Sequence, residues 1–146
     1  EKNCSSKIPE IKNYNKEDLE ILNKFSENLT IIREEIDNQN INFYISFIVS
    51  ALFEANKYFN DQEPWKKKDD KDRLNTIVYT SLEMIRKISF MLYPIIPDSI
   101  DKALKIFNLN SKDINFESIA SHNYLIAGNV INKIDILFQK IEKKND

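Results

Sequence analysis

The chain has a single tryptophan, Trp65, placed directly after Pro64 where a long helical pattern stops. An indole offers a large flat π-face, so at a helix end it does one of two jobs. It plugs the end of a helix pair, or it presents that face to a group that docks there. Lys66, Lys67 and Lys68 follow, then Asp69 and Asp70. The plain reading of such a run is a solvated connection. Upstream, Asn56 lies inside an apolar stretch, where a buried amide must have its donors and acceptors paired. It is either a structural tie between helices or a ligand contact.

Other chemistries are poorly served. Gly128 is the only glycine, so a glycine-rich phosphate loop has no residues to make its turns. Cys4 and His122 are each the only one of their kind, which excludes an internal disulfide and a Cys/His zinc site. His122 stands among Ser121 and Asn123 in a polar segment and reads as a surface histidine, since a catalytic triad needs a base oriented by a third group. Carboxylates are common but sit on charged helix faces. No catalytic, metal or cofactor site is expected in these residues. The formal net charge of −2 argues against a broadly basic nucleic-acid binder, yet leaves local readout of an unstacked loop open.

At 146 residues, 42% hydrophobic and 30% charged, the chain fits one soluble domain with a real core. A reducing, cytoplasmic setting and no membrane span are expected. The chain does not begin with Met and reads as a fragment of something larger.

The elements that must position Trp65 are helices. After a polar lead-in (1–14), Asn15 is placed to cap a first helix, with Leu19, Leu22, Phe25, Leu29, Ile32 and Ile36 on one face. A second helix over roughly 41–61 is apolar around much of its circumference and is expected to be the central one. A third, from about Asp70 to Leu92, directs Leu74, Ile77, Val78, Leu82, Ile85, Ile88 and Leu92 inward, with Glu83 and Lys87 as a local i,i+4 pair. Pro94 stops it, and Pro97-Asp98-Ser99 opens a shorter helix to about Phe107. Phe116–Ile119 suggests one more turn, Tyr124–Asp135 an extended run, and Ile136-Leu137-Phe138 an apolar patch that packs back on a neighbour. The fold class is all-α: an antiparallel helix bundle with a less regular C-terminal tail over 121–146, packing back onto the bundle or the parent.

These residues resemble the helical anticodon-binding domain of methionyl-tRNA synthetases, which are class I aminoacyl-tRNA synthetases. The resemblance rests on Ala55-Asn56-Lys57-Tyr58, Pro64-Trp65, Arg73, and Glu83-Met84-Ile85-Arg86 leading into Leu92-Tyr93-Pro94-Ile95-Ile96-Pro97. Leu137-Phe138-Gln139-Lys140-Ile141-Glu142 resembles the segment with which the family's shared core ends. A Pro-Trp step also occurs in the valine, isoleucine and leucine enzymes; the other two blocks favour methionine.

The resemblance implies that Trp65 stacks on the first anticodon base, a cytosine in the methionine anticodon, with Pro64 fixing its approach. Lys66 and Lys67 are then placed to meet loop phosphates, and Asn56 joins the anticodon-binding set. It further implies a parent methionine–tRNA ligase, cytoplasmic and monomeric, that uses ATP and Mg2+ in a catalytic domain of the same chain. The family's first bundle helix, with an asparagine and an arginine that contact the anticodon, would precede Glu1. Its loss would leave an apolar groove on the second and third helices. The alternative from another class is a helical protein–protein interaction domain, with Trp65 as a hydrophobic anchor.

Overall fold

The computed structural model describes residues 6–133 and 136–138. Three 22-residue helices dominate: α1 (Lys16–Asp37), α2 (Ile41–Gln62) and α3 (Lys71–Leu92). A short α4 (Pro97–Leu104) and a one-turn α5 (Phe116–Ala120) follow. Among the described residues there is no strand, only an isolated bridge between Lys7 and Val130. The expected extended run therefore reduces to that bridge, and Asp135 lies outside the described residues.

Local chemistry sets the ends. The Asp18 carboxylate accepts the Asn15 N–H at the start of α1, Asn40 accepts the Phe43 N–H, and Asp70 accepts the Arg73 N–H. Pro97 occupies the first turn of α4, where its missing N–H costs nothing. The long helices run antiparallel. Tyr58 near the end of α2 donates to Asp18 near the start of α1, and Tyr44 near the start of α2 donates to the Met91 carbonyl near the end of α3.

The centre of the bundle is α3, not α2. On α2 only Tyr44, Ile48, Ala51 and Tyr58 are buried, whereas α3 buries thirteen residues. Thr80, Glu83, Arg86 and Lys87 are among those thirteen, and Ile85, expected inward, is exposed. The hydrophobic pattern of α3 misleads because its charged residues are satisfied inside. The Glu83–Lys87 helix-face pair is replaced by a Glu83–Arg86 ion pair of 2.7 Å, both side chains fully buried. Lys87 instead donates to the carbonyls of Ile119 and Ser121.

The polar lead-in also contributes core. Ile8 packs with Tyr79, Phe107 and Leu125 in a second apolar cluster, and exchanges backbone hydrogen bonds with Gly128 and Asn129. Gly128 has φ 85, a left-handed conformation that suits glycine at this turn. At the far end Ile136 and Phe138 are exposed. The apolar patch expected to pack back is thus open on this chain, and the residues after Phe138 lie outside the description.

Because α2 is peripheral, Ile45, Val49, Leu52, Phe53 and Phe59 form an open stripe along it, with Phe53 71% exposed. Such a stripe favours self-association of this 146-residue chain. Light scattering should show mass rising with concentration, and Phe53→Glu should suppress the rise. A monomer at all concentrations would refute it.

Candidate nucleic-acid interface

The α2–α3 corner presents Trp65. Glu63 ends α2 in a left-handed conformation (φ 45, ψ 56), which turns the chain sharply. Pro64 then opens a 3-10 turn, Pro64–Lys66, closed by the Lys66 N–H to the Glu63 carbonyl and the Lys67 N–H to the Pro64 carbonyl. Pro64 is buried, while Trp65 beside it is 48% exposed. One side of the indole meets the Phe59 ring, with centroids 6.2 Å apart and planes at 60°. The edge-on contact leaves indole surface open to solvent and props the ring against the last turns of α2. The helix-plug reading of Trp65 therefore does not describe this corner.

Asn56 is exposed, so its amide needs no internal partner and the structural tie between helices is absent. Its apolar neighbours Leu52, Phe53 and Phe59 are themselves open. The three lie on an outer face of α2, where Asn56 stands about one turn before Phe59, the ring that meets Trp65. The lysines divide. Lys66 is paired with Glu63 at 2.7 Å, a surface ion pair of small energetic weight, while Lys67 is exposed in the same turn.

Beneath the corner lies a buried polar junction, part of which the sequence reading missed. Asp18 is fully buried and accepts hydrogen bonds from both terminal nitrogens of Arg73, Nη1 at 2.6 Å and Nη2 at 3.0 Å. It also accepts the Tyr58 hydroxyl. Arg73 Nη2 further donates to Gln62 Oε1 at 2.5 Å. Burial pushes the Asp18 carboxyl up. The hydrogen bonds from Arg73, Tyr58 and the Asn15 N–H more than offset this and hold it below the ordinary carboxylate range. Desolvation and the Asp18 hydrogen bond together raise the Tyr58 phenol. Arg73 had been singled out by its place between the Pro-Trp and Glu-Met-Ile-Arg blocks. Tyr58 ends the Ala55-Asn56-Lys57-Tyr58 block, whereas Asp18 and Gln62 carry no such signal, because nothing beside them in sequence marks the contact.

His122 is not a free surface histidine. Its Nε2 lies 2.7 Å from Asn23 Oδ1, and its carbonyl accepts the Tyr14 hydroxyl. Burial and the nearby Lys87 lower its pKa below the ordinary imidazole value. It ties the 121–125 segment to α1. No helix among the described residues is long and apolar enough to cross a membrane.

Comparison with known proteins adds the following. Residues 8–146 match the family model described as the anticodon binding domain of methionyl tRNA ligase. The methionine–tRNA ligase of Brucella suis biovar 1 is 35% identical over 106 residues, which is 72% of this chain and 21% of that protein. That of Methanosphaera stadtmanae is 33% identical over 147 residues, covering 92% of this chain and 22% of its own length. This chain thus spans about a fifth of these curated relatives. In fold, it superposes on the apo Mycobacterium tuberculosis methionyl-tRNA synthetase with a TM-score of 0.87 and 23% identity, over 98% of this chain and 29% of the other.

Proposed function

This chain belongs to the family of anticodon-binding domains of methionyl-tRNA ligases, and from that premise we propose that it recognises the anticodon loop of methionine tRNA for a longer ligase. The observation that carries the reading is the half-exposed indole of Trp65, set on a buried proline and braced by one aromatic ring. Anticodon loops offer unstacked bases, and an aromatic platform contributes about 1–3 kcal/mol per stacked base. Stacking tolerates any base. Identity therefore comes from polar groups near the ring, and Asn56 is exposed about one turn before Phe59, the ring's neighbour. Lys67, with Lys66 beside it, faces the loop's phosphates; two lysines suit a contact that adds charge without dominating affinity.

In this reading, adenylation of methionine with ATP and Mg2+ and transfer to tRNA belong to a catalytic domain elsewhere in the same polypeptide. The residues of this chain bind and orient the distant end of the tRNA. The whole protein would work as a cytoplasmic monomer.

The test is binding of the full-length protein to a methionine anticodon stem-loop and to one whose anticodon bases are replaced. The native loop should bind at least about tenfold more tightly, the equivalent of about 1.4 kcal/mol. Equal binding to both would refute anticodon recognition. It would favour the protein-interaction reading, which has the open Leu52 and Phe53 stripe behind it.

A further inference from the structure

We propose that Asp18, Arg73 and Gln62 form a positioning clamp that fixes the direction in which Trp65 points, an inference that rests on Trp65 being the stacking platform. Gln62 is the last residue of α2 and Arg73 lies in the first turn of α3. The connection between them carries Glu63, Pro64, Trp65 and the lysines. The hydrogen bond from Arg73 to Gln62 closes the base of that connection, and the bidentate pair from Arg73 to Asp18 anchors the closure to α1.

The other contacts of the loop are local or lie at the surface. The Glu63–Lys66 ion pair is at the surface and adds little. The Phe59 ring braces one side of the indole only. Two 3-10 hydrogen bonds set the local turn, and one backbone bond at each end joins the connection to its helices, from the Glu63 N–H to the Asn60 carbonyl of α2 and from the Asp70 N–H, at the cap of α3, to the Lys67 carbonyl. Beyond these backbone bonds, the buried Pro64 and the side chains of the clamp relate the turn to the three long helices.

The chemistry of the clamp fits a directional task better than a stability task. A buried ion pair often does no more for stability than apolar side chains of the same volume, because both charges must be desolvated. A planar guanidinium held by a two-point carboxylate has one orientation, and each of its three remaining N–H groups then has one direction. Here the second N–H of Nη2 meets the side chain of the residue just before the left-handed corner. Asp18 is itself locked by Tyr58 from α2 and the Asn15 N–H, so the guanidinium cannot swing to another acceptor. A platform held ready avoids the ordering cost that a mobile indole would incur on binding.

Gln62 is the part that can be altered without disturbing the core, since it is only half-buried while Asp18 is enclosed. The full-length protein is labelled with fluorotryptophan, and the Trp65 fluorine resonance is assigned by its loss in Trp65→Phe. Gln62→Met removes the acceptor at similar volume. It should broaden or shift that resonance and weaken binding of the methionine anticodon stem-loop by about tenfold. Gln62→Glu keeps an oxygen for Arg73 and should restore both. A wild-type resonance and affinity in Gln62→Met would overturn the clamp, as would Gln62→Glu behaving like Gln62→Met. The resonance is read without RNA, so the clamp is judged independently of stacking. Stacking fails separately if Trp65→Ala leaves stem-loop affinity unchanged.

Discussion

Replacing Trp65 by alanine in the full-length protein is expected, on the proposed reading, to lower kcat/KM for tRNA charging by about five- to 150-fold, while methionine-dependent ATP–pyrophosphate exchange stays within about twofold. The magnitude follows from the lost stack: about 1–3 kcal/mol per base, at about 1.4 kcal/mol for each factor of ten. The split between the two activities follows from placement. Exchange needs no tRNA, and the indole sits at a corner whose packing partners are Phe59 and the adjacent turn. Removing a half-exposed ring from that corner costs the fold one aromatic contact, about 0.5–1.5 kcal/mol. Trp65→Phe retains a π-face and should recover much of the charging rate. Equal losses in charging and exchange would instead make Trp65 a structural residue.

The helices were legible because their ends are written locally. Asparagine and aspartate caps, with Pro64 after α2 and Pro94 after α3, fix boundaries within a residue or two of α1, α2 and α3. Trp65 was legible for the same reason, since it follows a helix stop and no local partner encloses it. The layering was not. An α2 apolar on most sides looks like the middle of a bundle, yet its second face is simply open. Asn56 inherits that error, because a polar residue among apolar neighbours is read as buried only if the neighbours are.

The reverse holds on α3. Glu83, Arg86 and Lys87 look like a solvated face, and no periodicity reveals that α5 and the 121–125 segment supply carbonyls to pair with them. The Asp18–Arg73–Gln62 clamp is invisible for a related reason. It joins residues far apart in sequence whose types are ordinary on helix surfaces.

The buried charge cluster of α3 yields the largest effect on stability. Glu83 accepts from Arg86 Nε and from the Leu125 N–H, each at 2.7 Å, and from the Tyr79 hydroxyl at 3.3 Å. Glu83→Ala leaves the Arg86 guanidinium enclosed with no carboxylate, so a loss of about 3–5 kcal/mol is expected. The remaining partners of Arg86, two backbone carbonyls and the faces of Phe90 and Tyr124, do not neutralise it. Lys87 adds a pH signature. Burial first, then the neighbouring Arg86, lowers its ammonium from 10.5 to about 7, with Glu83 opposing.

A lysine with a lowered folded pKa binds fewer protons folded than unfolded across that interval, so stability rises with pH between about 7 and 10.5. The slope can reach about 1.4 kcal/mol per pH unit, less to the extent that the Ile119 and Ser121 carbonyls favour the charged form. The other groups facing the cluster act outside this window. His122, also lowered, acts below the ordinary imidazole value of 6.5, and the raised phenols of Tyr14 and Tyr79 withdraw stability only above their ordinary 10.0. Urea unfolding midpoints measured from pH 7 to 9 should therefore climb in the natural chain and stay level in Lys87→Met. A climb of the same size in both would assign the slope to another group, and a level natural chain would show that the carbonyls hold Lys87 charged throughout.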